Sequence, residues 1–180
     1  MIHLDRKTIT ALFLGATLMI MNPVHAGGRV KASVKTENAD GGVTTARGAA
    51  AKGQNGGGFA RARGTTTNGQ GQATGGGATA VKGPNGGTGF RAGSYTADSS
   101  GNVNYQGGAA ATGANGSAST SGGFSRSAGG GVIGARSTTA TANNGNSYQG
   151  DTTYDSNSGV NHNHACYDAN GNEIKCPSKY

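Results

Sequence analysis

The chain has 180 residues, 36 of them glycine, with 33% apolar and 13% charged side chains and a formal net charge of +7. Tryptophan is absent, and every leucine and methionine lies before Asn22. The large apolar residues after Ala26 are Val30, Val34, Val43, Phe59, Val81, Phe90, Val103, Phe124, Val132, Ile133, Val160 and Ile174, twelve among 154 positions. Burying each contributes only about 1.5–3 kcal/mol, while ordering the backbone costs about 1–2 kcal/mol per residue, so a conventional globular enzyme domain is excluded.

Residues 1–26 read as a secretory signal peptide. Arg6 and Lys7 precede an apolar run from Ile9 to Met21, and Val24-His25-Ala26 supplies the small-residue pattern of a cleavage site, with Gly27 as the expected first mature residue. The run is shorter than the roughly 20 residues that cross a bilayer. No cysteine follows the cleavage site to carry a lipid, and no later stretch could span a membrane as a helix. The expected locations are the cell surface, the extracellular space or the periplasm. Without Asp5, Arg6 and Lys7, the 15 basic and 8 acidic residues become 13 and 7, a net charge of +6. The excess is uneven: from Gly27 to Arg136 only Glu37, Asp40 and Asp98 oppose eleven basic residues.

After an N-terminal segment, 27–40, a repeat array is expected over 41–159. Turn dipeptides ending in glycine recur through the chain, at Gly41, Gly56, Gly69, Gly86, Gly101, Gly116, Gly130, Gly145, Gly159 and Gly171, in steps of 12 to 17 residues. A period of thirty overlies them. Gly53-Gln54-Asn55-Gly56, Gly83-Pro84-Asn85-Gly86 and Gly113-Ala114-Asn115-Gly116 share one form, and Phe59, Phe90 and Phe124 each follow a copy. Asn-Gly is a hairpin signal because both residues accept positive φ. The runs between turns, such as Phe59-Ala60-Arg61-Ala62-Arg63, alternate in character with the period of a strand. No segment has helical apolar spacing, and frequent glycine opposes helix. The expected fold is all-β, a repetitive strand-turn array in the form of a β-meander or a narrow β-solenoid. A largely disordered chain is the alternative that composition alone favours.

Tyr105-Gln106-Gly107 and Tyr148-Gln149-Gly150 sit within this array of exported Gly-, Asn-, Gln-, Ser- and Thr-rich units. In these features the chain resembles curlin-type matrix proteins, a likeness of repeat style over most of the mature chain. The resemblance implies a fibre-forming or surface-coating role.

Residues 160–180 are expected to form a C-terminal cap. Cys166 and Cys176 are the only cysteines, and Asn170-Gly171 lies between them, so a hairpin would place the sulfurs opposite each other. In an exported chain this favours a disulfide. His162, His164 and Cys166 alternate on one face of a strand and form a weaker candidate metal set. The spacing fits no standard zinc module, and no metal or other cofactor is expected.

Walker-type, nucleophile-elbow and calcium-repeat motifs are absent, and no active site or small-molecule substrate is expected. Three functions remain. The first is a structural or biofilm-matrix protein self-associating through strand edges. The second is a basic surface protein that holds polyanions (lipopolysaccharide, acidic polysaccharide or extracellular DNA) through Arg61, Arg63, Lys82, Arg91, Arg126 and Arg136. Because these cations are spaced along the chain, solubility alone also accounts for them. The third, a flat threonine array, lacks Thr-x-Thr in every unit.

Overall fold

The computed structural model describes residues 27–177. The expected signal peptide, 1–26, and the last three residues of the expected cap lie outside them. Of the two architectures expected, the structure is the meander. It has eleven antiparallel strands in a single open sheet whose spatial order is their chain order. They are β1 (Gly28–Glu37), β2 (Val43–Lys52), β3 (Gly58–Thr67), β4 (Ala73–Lys82), β5 (Thr88–Ala97), β6 (Val103–Gly113), β7 (Gly116–Arg126), β8 (Val132–Ala142), β9 (Ser147–Asp155), β10 (Gly159–Tyr167) and the two-residue β11 (Glu173–Ile174). β1 thus occupies most of the segment that precedes the first glycine turn.

Among the described residues only Gly42, Asn68, Gly150 and Cys166 are buried. Strands touch their sequence neighbours and little else. Backbone ladders and same-face side-chain columns therefore hold the sheet, as the scarcity of apolar residues requires.

All ten expected turn glycines adopt positive φ, joined by Gly71. The turn differs from the expectation at asparagine, because no residue other than glycine has positive φ. In most turns the N–H of the positive-φ glycine donates to the carbonyl three residues back. Gly56 to Gly53, Gly86 to Gly83 and Gly101 to Asp98 are examples. A second bond closes the loop, as from the Gly53 N–H to the Gly57 carbonyl at 2.7 Å. A turn in which only the closing residue is left-handed needs one glycine, and asparagine or aspartate assists through its side chain. Asp98 Oδ1 accepts from the N–H groups of Ser100 and Asn102, and Asp168 Oδ1 from those of Asn170 and Asn172.

The ladders run without a bulge, so each residue keeps its column across the sheet. Lys31, Ala49, Arg61, Thr79, Arg91 and Ala109 form one column from β1 to β6. Alternate columns face opposite sides, and the two faces differ sharply. One carries Arg29, Lys31, Lys35, Arg47, Arg61, Arg63, Arg91, Arg126 and Arg136. These include every arginine among the described residues, and Glu37 is the one strand acid among them that shares their side.

The other face is small. Ala32, Gly48, Ala62, Ala78, Ala92 and Gly108 make one of its columns. Thr36, Thr44, Thr66, Thr74 and Thr96 make another, with a 3.1 Å bond between the hydroxyls of Thr44 and Thr66. Phe90 stands out of this surface, 53% exposed.

Candidate functional site

At the C-terminal end, Cys166 and Cys176 are joined with Cα atoms 5.2 Å apart. The Asp168–Asn172 turn folds β11 back onto β10, pairing Cys166 with Ile174 and Tyr167 with Glu173. Cys166 is 5% exposed, the most buried apolar residue described. The disulfide therefore holds β11 over one end of the outer edge of β10, and Gly159–Ala165 of that edge have no strand partner among the described residues.

His162 and His164 share a face with Cys166, as alternation requires, and their rings stack at 5.3 Å. His162 Nδ1 lies 2.8 Å from Thr152 Oγ1, and the His164 ring stacks on Tyr148. The Cys166 sulfur is taken by Cys176, and no group of three or more metal-ligating side chains exists among the described residues. The pair is built into hydroxyl and aromatic contacts.

Of the six cations singled out from sequence, Arg61, Arg63, Arg91, Arg126 and Arg136 share one face. Lys82 stands on the other, with Lys52. Register brings in four that the sequence reading omitted: Arg29, Lys31, Lys35 and Arg47. Arg47 lies directly opposite Arg63 on the neighbouring strand. Like charges so placed repel, and no acid from β2 to β8 stands on that face to relieve them.

The same face bears a row of aromatic rings in adjacent strands: Tyr95, Tyr105 and Phe124. Tyr105 and Phe124 stack at 5.5 Å with planes 27° apart. Beside the row runs a column of Gly77, Gly93, Gly107 and Gly122. The Tyr105 ring lies over this bare backbone: a Cβ at Gly93 would sit 2.7 Å from Tyr105 Oη, and one at Gly107 2.5 Å from it. Tyr95 covers Gly75 in the same way, 2.7 Å from a Cβ there, and its hydroxyl meets Thr65 Oγ1 at 3.2 Å.

Two carboxylates are shifted, and both lie in turns. The Asn102 side-chain amide, then the Asn102 backbone N–H, holds the Asp98 carboxyl below the usual carboxylate range, and Asn172 does the same for Asp168. These groups stabilise turns and sit on no surface cluster. Two shallow open depressions line the turn regions, one bounded by Asn68, Asp98 and Asn102 and the other by Ile133, Tyr154 and Val160. Among the described residues no helix is long and apolar enough to cross a membrane. No protein-family model matches the chain, and no curated protein or solved structure matches it either.

Proposed function

We propose that the chain is an exported, non-enzymatic structural protein that builds a surface or biofilm-matrix layer by joining copies at their strand edges. The observation that carries this reading is the outer edge of β1. It has ten residues, all exposed, and no partner among the described residues. Such a row of backbone donors and acceptors is a template for another strand. The sheet supplies the complement, since Gly159–Ala165 on β10 have no partner on their outer edge among the described residues. Ten full strands are an even number, so β1 of the next copy continues the antiparallel alternation on β10. A head-to-tail contact of this kind grows into an open filament.

Ser33 and Val34 are successive residues of β1, so one of their N–H groups points away from β2. Proline at that position removes an outward donor and spares the internal ladder. Electron microscopy and sedimentation of purified mature protein should show filaments. One of Ser33→Pro and Val34→Pro should remain a monomer with an unchanged circular dichroism spectrum. Two folded variants that assemble like the parent would defeat the edge mechanism.

A second reading, polyanion binding, is favoured by one observation: every mature-chain arginine stands on one face.

A further inference from the structure

We propose that the arginine face binds single-stranded nucleic acid, with bases stacked on the Tyr95–Tyr105–Phe124 row and phosphates held by the surrounding arginines. This rests on the polyanion reading and names its ligand. The three rings occupy one column in β5, β6 and β7, and adjacent strands lie about 4.8 Å apart. Their support is built in. With glycine at positions 75, 93 and 107, the tyrosine rings lie close against bare backbone, where a Cβ would meet them within 3 Å. Tyr105 is 38% exposed and Phe124 42%.

Cations flank the row at both ends. Arg126 is two residues from Phe124 on the same face of β7, about 6.6 Å along the strand. Arg136 stands opposite Gly122 on β8. At the other end are Arg91, four residues from Tyr95 on β5, and Arg63, opposite Gly77 of β4. A guanidinium offers a planar fork that matches two phosphate oxygens. The like-charge pair Arg47 and Arg63 gains most from such an anion.

The combination selects among polyanions. An acidic polysaccharide satisfies the arginines but has no aromatic face to place on the rings. A duplex buries its base faces and asks for an element that enters a groove, whereas this surface is the face of an open sheet. An unpaired strand offers phosphates and free base faces together, and aromatic platforms flanked by cations accept it without regard to sequence.

The test is fluorescence anisotropy of the mature protein with a labelled thymidine oligonucleotide. A duplex of equal length and an unlabelled polyuronate serve as competitors. Tyr105→Leu keeps an apolar cap over Gly93 and Gly107 but removes the ring. It should weaken oligonucleotide binding by about ten-fold or more, leaving the salt dependence unchanged. Arg91→Gln should lower the slope of log affinity against log salt by about 0.7. Phe90→Leu, on the opposite face, should change neither. Binding that resists Tyr105→Leu, or that duplex and polyuronate abolish as readily as unlabelled oligonucleotide, overturns the inference and leaves the wider polyanion reading standing. Absence of binding to all three polymers overturns both.

Discussion

Replacing Gly86 by valine tests whether turns, in the absence of a core, hold this sheet. Gly86 has a φ of 85°, and a Cβ built there meets no atom within 4 Å. The substitution therefore introduces no collision, and its cost is the conformational one alone. Forcing an L-residue left-handed costs about 1–2 kcal/mol, and a β-branched side chain lies at the upper end. Losing a glycine also narrows the unfolded ensemble, which offsets about 0.4–1 kcal/mol of that. The net loss is about 1 kcal/mol. Gly86→Asn should cost less, because asparagine visits this region with local help. Phe90 lies four residues away and is 53% exposed. Phe90→Leu keeps an apolar group of similar size there and should fall well below the ~1.5 kcal/mol ceiling of such swaps.

Hydrogen exchange read by strand is the decisive assay. Each strand contacts its sequence neighbours, so a weakened turn should open β4 and β5 before distant strands. A loss of about 1 kcal/mol raises exchange there roughly five-fold, and protection in β8 to β10 should hold. Valine at 86 with unchanged protection would refute the reasoning. So would a larger loss from Phe90→Leu, or a coil-like circular dichroism spectrum of the parent protein.

Three further expectations follow from particular residues. Mass spectrometry of exported protein should find Gly27 at its start, and retention of Met1 would remove the export argument. Cys166→Ser should release β11 and speed exchange in β9 and β10, leaving β1 to β5 unchanged. The chain-entropy scale for a loop of this length is about 2–3 kcal/mol. Asp98 and Asp168 have folded values lowered from 3.8 by Asn102 and Asn172. Their contribution is thus complete above the unfolded value and is lost as pH falls through the lower folded one. Acid titration by exchange should therefore loosen the turns at 98–102 and 168–172 below about pH 4, and Asp98→Asn should abolish that response at the first.

The turns were legible because glycine has a local reason to be where it is: all ten positions chosen from dipeptides adopt positive φ. The disulfide was legible for a similar reason, since Asn170-Gly171 midway between two cysteines already implies a hairpin. The detailed turn was not. Asn-Gly permits two left-handed residues, but a loop closed across five residues, as from Gly53 to Gly57, needs only the glycine. Face membership was hidden too, because it depends on loop length, and a shift of one residue sends a whole strand's side chains to the other side. Lys82 pairs with Thr88, so Arg91 falls opposite Thr79, an odd number of residues from Lys82 and hence on the other face. Thr36 and Thr44 look unrelated in sequence and become neighbours only in register.

The thirty-residue period acquires a physical meaning from the same register. One unit of thirty is a strand, a turn, the returning strand and its turn, so residues thirty apart occupy one column two strands on. Lys31, Arg61 and Arg91 are related in this way, as are Thr36, Thr66 and Thr96. Duplicating a two-strand unit therefore copies a side chain onto the same face at about 10 Å intervals, and one asymmetric hairpin becomes a two-faced sheet. The rule also states where it ends. The shorter connection between Gly113 and Gly116 makes the step from β5 to β7 twenty-nine residues, from Thr88 through Thr112 to Ser117. Beyond β5 the cation column passes to Ala109, Thr120 and Thr138. At β5 to β7 the aromatic row takes over on that face, so cations and rings succeed each other along one surface.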